Sequence, residues 1–368
     1  MADTPINTST LGFTEIPNFD LHDPRTLQAF ADRYIKPKSF LKDTFFPTTA
    51  MEMFSTEAIL LDEIKHSRRA APFVIKGSKD IDRDGFVTDE YKPPRIAPSR
   101  TMTIDDLKKR YAGEPIFNSG KNPGIRAAMM TIKDMTDLSE MITRREELMC
   151  AETLLTNGCV MKHIDPLSEN TTTHTIKFYT DTNDQIYTPS TTWSNPDADI
   201  FNDLHAMIKF VTSKGNRAEM LLVGESVADA IMRNNQVYKW LDNNKFSMGN
   251  VAPAVLPSGV TEICKLNIYG KMLSIVHYAE TYENDNGDDV PYIPTDKAIL
   301  TAPGCGKGYY GGVTQLEDGN PEFQYHEGRR VPKLFKDTKA DIKTLQLVAR
   351  PVMIPVAKGG WITSTAIF

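Results

Sequence analysis

The sequence predicts an α+β fold, in which helices and strands are mixed along the chain without a repeating strand–helix–strand unit. Two observations predict it. A long helical pattern at 123–157 is surrounded by segments with the period-2 alternation of strands. The tail from Thr344 to Phe368 is apolar and rich in β-forming residues, so its last strand should be buried by pairing back with an earlier sheet.

Composition is ordinary for a folded protein. The chain has 368 residues, of which 40% are hydrophobic and 24% charged, and it is long enough for two cores. No apolar run approaches the roughly 20 residues of a membrane helix, and the start lacks the features of a signal peptide. We therefore expect a protein that is made in the cytoplasm and leaves it only within an assembly.

The cysteines form no C-x-x-C pair and are too few for a disulfide framework. They are Cys150, Cys159, Cys264 and Cys305. We expect reduced thiols, and neither a disulfide nor a zinc site.

The formal net charge is −6. Basic residues cluster at Lys65–Arg69 and Gly328–Arg330, but neither cluster is interleaved with aromatic residues or set in a basic domain, as tight nucleic-acid binding requires. Solvated side chains or salt bridges to neighbouring residues explain both clusters better. The chain is therefore not expected to hold DNA tightly.

Residues 1–48 predict an extended N-terminal arm, because the segment is polar and prolines interrupt any long element. These prolines are Pro5, Pro17 and Pro24. Only Asp23–Ile35 has a helical pattern within the arm. Strand alternation follows over Thr49–Ile64, so 49–70 is predicted to be a strand segment of the body.

Residues 71–103 predict an extended β loop that leaves the body. Asp84-Gly85, between two β-compatible runs, is a hairpin signal. The prolines that follow cannot donate to a central ladder, so this segment should be an edge or an excursion. They are Pro93, Pro94 and Pro98.

Part of the same segment matches the first positions of a calcium-binding loop. The matching residues are Asp80, Asp82, Asp84 and Gly85. Tyr91 stands where the bidentate glutamate belongs, and the residues before the loop do not predict a helix. We predict a turn rich in solvated acidic residues and no metal site.

The helix predicted at 123–157 is called the spine helix below. Asn122 can cap it, Pro123 suits its first position and Asn157-Gly158 supplies a left-handed stop. Its apolar stripe is Ile125, Met129, Ile132, Met135, Leu138, Ile142, Met149 and Leu155. Its predicted solvent-facing residues are Lys133, Asp134, Asp137, Glu140, Arg144 and Glu146. A length of roughly 50 Å suits the spine of an elongated subunit.

Mixed elements follow the spine helix. A strand pair is predicted around Thr182-Asn183-Asp184, then a helix at Pro196–Gly215 that acidic residues cap at its start. A buried strand at Ala218–Gly224 and a helix at 225–241 come next. Two further strands are predicted to meet at Gly270.

The stretch TAPGCGKGYYGG, Thr301–Gly312, is close to a nucleotide-binding P-loop. Gly306 and Lys307 fit the pattern, but Thr301 replaces the first glycine and Gly308 replaces the hydroxyl that holds magnesium. A P-loop must also open a helix, and glycines are poor helix formers. A glycine-rich turn between strands is the better interpretation.

No catalytic constellation is evident. The sequence lacks G-x-S-x-G and H-E-x-x-H, and the histidines are scattered. We therefore predict a protein that is not an enzyme, with no catalytic residues, no cofactor and no metal.

Six stretches together cover most of residues 43–368. They are DTFFPTTAMEMFSTEAILLDEI, GFVTDEYKPPRIAP, RREELMCAETLLTNG, TTWSNPDADIFNDL, YGKMLSIVHYAETYENDNGDDVPYIPTDKAILTAPGCGKGYYGGV and QLVARPVMIPVAKGGWITSTAIF. In their order and spacing, these stretches resemble the lambda-type family of tailed-bacteriophage proteins called phage major capsid protein E.

The resemblance implies the Hong Kong 97-type phage capsid fold. Its parts on this chain would be the arm at 1–48, a peripheral domain at 49–70 and 104–190 with the spine helix, the extended loop at 71–103, an axial domain at 191–345 and a C-terminal strand at 346–368 that returns to the body. The loop tip, at Asp82, Asp84 and Gly85, is expected to contact a neighbouring subunit. Met135, Leu138 and Ile142 are expected to form the structural spine.

The function implied is that of a major capsid protein, which self-assembles into hexamers and pentamers and forms the icosahedral shell around the phage genome. Expected partners are further copies of the chain, with scaffold, portal and decoration proteins as candidates. DNA would be enclosed without specific binding, no membrane would take part, and the protein would be made in the host cytoplasm and end in the virion. Two alternatives stay open: a cellular nanocompartment shell of the same fold, and a nucleotide-hydrolysing packaging enzyme.

Overall fold

The computed structural model describes residues 39–49, 52–56, 58–64, 86–108, 123–164, 171–178, 185–243, 255–256, 259–316, 322–338, 340–356 and 359–364. Helices and sheets are mixed along the chain, which confirms the predicted α+β class. The helix predicted at Asp23–Ile35 and the loop residues Asp80, Asp82, Asp84 and Gly85 lie outside the described residues.

Among the described residues the helices are Leu41–Phe45 (α1), Ile104–Lys108 (α2), Pro123–Thr156 (α3, the spine helix), Ile200–Ser213 (α4), Glu225–Arg233 (α5) and Asn235–Asn243 (α6). The strands are Ile59–Ile64 (β1), Phe86–Tyr91 (β2), Ser99–Met102 (β3), Gly158–Ile164 (β4), Thr171–Lys177 (β5), Ile186–Tyr187 (β6), Met220–Val223 (β7), Val255–Leu256 (β8), Val260–Ile268 (β9), Lys271–Tyr278 (β10), Thr281–Glu283 (β11), Asp289–Pro291 (β12), Ala298–Thr301 (β13), Gly306–Tyr310 (β14), Val313–Leu316 (β15), Phe323–His326 (β16), Val331–Asp337 (β17), Ile342–Val348 (β18), Pro351–Pro355 (β19) and Ile362–Ser364 (β20).

The spine helix ends one residue before the limit that the sequence predicts. Asn157 follows it in the left-handed region, with a φ of 55°, as expected for a residue that stops a helix. Strand β4 then starts at Gly158, where an added Cβ would lie 2.4 Å from the backbone oxygen of Ile176. Glycine is therefore needed for β4 to pair with β5 directly after the helix.

One side of the spine helix packs on a three-stranded sheet of order β17-β18-β3. Met135, Leu138 and Ile142 are buried and share one hydrophobic cluster with Leu345 and Leu347 of β18. Ridges of side chains at three- and four-residue steps can cover a sheet face in this way because they lie on one side of the helix. This sheet and the first half of the spine helix form one core of the subunit.

A seven-stranded mixed sheet forms the second core, in the order β6-β20-β13-β7-β10-β9-β8. Its strand β7 is parallel to β10 and antiparallel to β13. Alternate residues of β7 pack on opposite faces: Leu221 and Val223 join a cluster with α4, whereas Leu222 joins a cluster with the end of the spine helix. Both faces of the sheet are therefore covered, which explains why β7 is a continuous apolar run.

Helix α4 begins where its acidic residues predict. The side chain of Asp199 accepts a hydrogen bond from the backbone N–H of Asn202, at 3.2 Å, and so satisfies one of the donors that a helix start leaves unpaired. The helix predicted at 225–241 is instead two helices. Asn234 divides it, because its side-chain oxygen accepts hydrogen bonds from the N–H groups of Gln236 and Val237 and caps α6.

The strand pair predicted around Thr182-Asn183-Asp184 is wrong. Strand β5 pairs with β4, which precedes it, and β6 joins the seven-stranded sheet in parallel with β20. A turn signal identifies where a chain can reverse, but the partner of a strand depends on which sheet edge can bury its side chains. Here the C-terminal strand provides that edge for β6.

The end of the chain returns to the body, as the apolar tail predicts. Strand β20 pairs with β13 as well as β6, and its residues Ile362, Thr363 and Ser364 are buried. Strand β19 pairs with β14. Within the described part of the chain, no helix has the length and apolar character needed to cross a membrane.

Candidate functional site

The end of the N-terminal arm is held against the spine helix. Phe40, Leu41, Phe45 and Phe46 are buried in the cluster that also contains the last turns of the spine helix and part of the seven-stranded sheet. The polar contacts beneath them are called the arm junction below. It consists of Lys42, Thr143, Glu146, Glu147, Tyr278, Tyr310 and Arg330.

Glu147 of the spine helix holds the start of α1. Its carboxylate accepts hydrogen bonds from the backbone N–H groups of Phe40, Leu41 and Lys42, at 2.9, 2.7 and 3.0 Å. It also accepts one from the hydroxyl of Tyr278, at 2.9 Å. Because the first N–H groups of a helix have no partner within it, a carboxylate from another element can satisfy them. Burial raises the pKa of Glu147, and these hydrogen bonds oppose that effect.

Glu146 is buried between two positive charges from distant parts of the sequence. Its carboxylate lies 2.5 Å from Nζ of Lys42 and accepts two hydrogen bonds from Arg330, at 2.6 and 2.8 Å. The hydroxyl of Tyr310 donates a further hydrogen bond at 2.8 Å. Burial raises the pKa of Glu146, but the charges of Arg330 and Lys42 outweigh burial and lower it to about 2.

The prediction that Glu146 faces solvent is therefore wrong, since its exposed fraction is 0%. One signal in the sequence does indicate burial: Glu146 lies four residues after Ile142, on the apolar stripe. A charged residue at a stripe position is buried only where opposite charges meet it. Arg330, from the basic cluster Gly328–Arg330, is the main one, and it also donates to the hydroxyl of Thr143 at 3.2 Å.

The buried ion pairs Lys42–Glu146 and Arg330–Glu146 connect three segments that are far apart in sequence. The arm contributes Lys42, the spine helix Glu146, and the residue before β17 contributes Arg330. Buried ion pairs add little net stability compared with apolar packing, but the loss of one partner leaves an uncompensated charge. The arm junction therefore fixes the position of the arm more than it strengthens the fold.

Two strands on either side of the segment predicted as an extended loop form a two-stranded ribbon. Strands β1 and β2 are antiparallel, from Ile59 opposite Tyr91 to Ile64 opposite Phe86, and in the described residues they pair with each other alone. Ile59 is buried with Phe178, and the rings of Tyr91 and Phe178 are 5.5 Å apart. The ribbon is thus anchored to the body at one end.

The bounds of the ribbon differ from the limits 71–103 predicted for the loop. The ribbon begins at Ile59 and ends at Tyr91, and Ile96 already bridges Ala349 of the body. Ser99–Met102 is a strand of the body sheet. The prolines predict an excursion, but only the long-range pairing shows that Ile96 and Ser99–Met102 belong to the body.

The glycine-rich stretch forms strands. Ala298–Thr301 lies in the seven-stranded sheet, and Gly306–Tyr310 pairs with Pro351–Pro355. A Cβ on Gly306 would lie 2.2 Å from the ring of Phe46, so this glycine allows the arm to pack closely. Nζ of Lys307 lies 3.0 Å from a carboxylate oxygen of Glu52. Lys307 therefore has a carboxylate as its partner, on a strand that opens no helix.

We expect Lys307→Ala to change the free energy of unfolding by no more than about 1 kcal/mol, because the lysine side chain is half-exposed and such pairs contribute little. Chemical denaturation measures this. The wild-type protein should show no ATP hydrolysis above background. Turnover of ATP that Lys307→Ala abolishes would contradict the interpretation of this segment as structural.

Reactive groups are sparse among the described residues. The four cysteines are unpaired, and burial raises the pKa of the Cys264 and Cys305 thiols to about 11. In the ranges that the structure describes, no group of three or more histidine, cysteine, aspartate or glutamate side chains could hold a metal ion. The arrangement of the arm junction and the ribbon is suited to holding chain segments together.

Comparisons with known proteins give the same picture of the fold. The family described as phage major capsid protein E matches residues 23–366. A solved structure assigned as the capsid protein of a prophage of E. coli CFT073 has a TM-score of 0.61 and 16% identity, and the match covers 98% of this chain and 99% of that one. A phage-related protein from Bordetella bronchiseptica RB50 has a TM-score of 0.51 and 12% identity, with 95% and 99% covered. No curated protein sequence matches this chain.

Proposed function

This chain belongs to the phage major capsid protein E family, and we propose that its copies associate as hexamers and pentamers that close into an icosahedral shell around the phage genome. The family is structural, and its members are shell-forming capsid proteins of the virion. The fold is of the Hong Kong 97 type. Closed shells of one chain arise when each copy presents different surfaces to successive neighbours.

The domain limits are part of the proposal. The seven-stranded sheet lies mostly within 191–345, the proposed axial domain, and the spine helix lies within the proposed peripheral domain at 49–70 and 104–190. The three-stranded sheet on which that helix packs is formed by Ser99–Met102, Val331–Asp337 and Ile342–Val348, which lie outside these peripheral limits. Met135, Leu138 and Ile142 would then carry load along the subunit, because they join the spine helix to that sheet.

The observation that carries the proposal is the ribbon of β1 and β2. A two-stranded ribbon is at best marginally stable in water by itself. In the described residues β1 and β2 pair only with each other. The outer edges of the ribbon are therefore able to pair with another molecule. We therefore assign the loop beyond Ile64 and Phe86, with its tip at Asp82, Asp84 and Gly85, to contact with a neighbouring subunit.

Replacing residues 65–85 by Asn-Gly tests this assignment. Ile64 and Phe86 are directly opposite each other, so a two-residue hairpin turn can join them, and closing the shorter loop costs less entropy. We expect a soluble, folded protein with near-native circular dichroism that sediments as monomers or capsomers and forms no closed particles. Unfolding of this variant, or intact shells in electron micrographs, would contradict the role of the loop.

A matched pair of variants tests the tip itself. Asp82→Ala with Asp84→Ala should lower the yield of shells, whereas Asp288→Ala with Asp289→Ala, in an exposed hairpin elsewhere, should not. Equal shell yields from the two double variants would show that the tip does not contribute to the contact between subunits.

The remaining partners are proposed from the family. Scaffold, portal and decoration proteins are candidates, and the net charge of −6 suits a container in which DNA is enclosed without specific binding. We propose synthesis in the host cytoplasm before assembly. Nucleic acid inside purified particles would support the genome shell, and a protein cargo would instead indicate a nanocompartment.

A further inference from the structure

A cleft lies beside the spine helix, close to where the described part of the arm begins. Its volume is about 450 Å³. Met141, Arg144 and Leu148 of the spine helix form one wall, with Val160 of β4 beside them, and Tyr282 of the β11–β12 hairpin lies opposite. Met141 is 47% exposed and Val160 is 39% exposed. The rest of the lining is charged or polar, at Arg145, Glu152, Glu283, Asn284 and Asp285. The cleft therefore combines an apolar stripe of the helix with a polar rim.

The arm enters the body next to this cleft. The backbone N–H of Phe40 donates to Glu147, and Leu148, the next residue of the helix, lines the cleft. A row of aromatic rings continues from the arm: Phe40 lies 5.4 Å from Tyr278, which lies 5.9 Å from Tyr292. Tyr292 in turn lies 5.2 Å from Tyr282 of the cleft. Phe40, Tyr278 and Tyr292 are buried, and this row of rings connects the start of the described arm to the wall of the cleft.

The sequence before Ser39 predicts an amphipathic helix. Asp23 can cap it and Pro24 suits its first position. Leu27, Phe30, Ala31 and Tyr34 recur at the three- and four-residue steps that place side chains on one side of a helix. A short helix of this kind is marginal in water unless its apolar side is covered.

Length and reach fit this segment to the cleft. Thirteen residues in a helix span about 20 Å, and the wall from Met141 to Glu152 spans about 17 Å. Ile35 lies four residues before Ser39, so the chain between them reaches at most about 14 Å. The cleft contains a positive and a negative side chain, Arg145 and Glu152. The segment also contains one of each sign, Arg33 and Asp32, so opposite charges can face each other.

We propose that residues 23–35 bind as an amphipathic helix in this cleft of their own subunit, with Leu27, Phe30 and Tyr34 against Met141, Leu148 and Val160. The three-residue connection, 36–38, favours the same subunit, because a short tether gives the segment a high effective concentration at its own cleft. This interaction precedes assembly and does not depend on the proposed shell: it would give the subunit a covered spine helix before any neighbour is present.

Hydrogen exchange on unassembled, full-length subunits isolated by gel filtration tests the contact. In the wild-type protein we expect the amides of residues 23–35 to be protected at least about tenfold relative to an unstructured chain. Met141→Asp should abolish that protection. Met232→Asp, at a methionine on α5 that is 63% exposed, should leave it unchanged. Absence of protection in the wild type, or protection that survives Met141→Asp, would overturn the proposal.

Cysteine crosslinking decides which subunit supplies the segment. Under mild oxidation of dilute subunits, Phe30→Cys combined with Val160→Cys should give a crosslinked monomer, and each single variant, which shows the background of the natural cysteines, should not. Crosslinked dimers would assign the segment to a neighbouring copy and overturn binding within one subunit. Absence of any crosslink would overturn the contact itself. Failure of these tests leaves the shell proposal intact, since the variant that replaces 65–85 tests that proposal separately.

Discussion

Leu138→Asp is expected to yield insoluble protein. Leu138 is 1% exposed and packs among Met135, Ile142, Leu345 and Leu347 between the spine helix and β18. An aspartate there would bury a carboxylate among apolar groups, at a cost of several kcal/mol. That is a large part of the roughly 5–15 kcal/mol by which a folded domain is stable. The soluble fraction after expression, and the unfolding midpoint of any soluble protein, measure the effect.

Glu140→Ala is the matched control on the opposite side of the same helix. Glu140 is exposed and pairs with Arg144 at 3.2 Å, four residues away. Such a pair contributes about 0.3–0.5 kcal/mol, so the variant should remain soluble with a nearly unchanged unfolding midpoint. Equal solubility of the two variants would show that the assignment of the helix faces is incorrect.

Arg330→Ala is expected to lower the free energy of unfolding by about 3–5 kcal/mol, because it removes the main partner of a fully buried carboxylate. Lys42 stays near Glu146, so the charge is partly compensated and the variant should still fold. Arg233→Ala is the control, since that side chain is 79% exposed and pairs with Asp229 at 3.4 Å. It should cost no more than about 0.5 kcal/mol. Similar losses for the two arginines would contradict the role assigned to the arm junction.

The pH dependence of the Arg330→Ala effect gives an independent readout. In the wild type, the pKa of Glu146 is about 2 instead of the ordinary 4.5. Its ionised form therefore stabilises the fold above about pH 4.5, and this contribution is lost as the pH falls towards 2. Without Arg330 burial should raise the pKa of Glu146, so the stability difference between variant and wild type should narrow on acidification. A constant difference from about pH 7 to 3 would show that lost packing, and not charge, explains the cost.

The family could be identified from the sequence, because ordered stretches from residue 43 to the end resemble phage major capsid protein E, and the match over 23–366 confirms it. The spine helix was also predictable. Its cap, its apolar steps and its left-handed stop all lie within a few residues of one another, so the signals are local. The same holds for the cap of α4 at Asp199 and for the turn between β9 and β10, where Gly270 has a φ of 84°.

Strand partners were not predictable in this way. The turn residues around Asn183 indicated a local hairpin, yet Ile186–Tyr187 pairs with Ile362–Ser364 at the other end of the chain. Local turn propensity is weak compared with the burial that a sheet edge offers. The end predicted for the loop, residue 103, is too late for the same reason, since Ser99–Met102 pairs with β18 in the body.

The arm junction shows most clearly what each level of structure determines. The sequence by itself determined that position 146 belongs to a helix and falls four residues after Ile142. Whether a carboxylate there is solvated or buried depends on charges that lie 104 and 184 residues away, at Lys42 and Arg330. Burial of a charge is favourable only when those partners arrive with it. Only the tertiary structure brings them together, and so only the tertiary structure decided that Glu146 holds the arm to the spine helix.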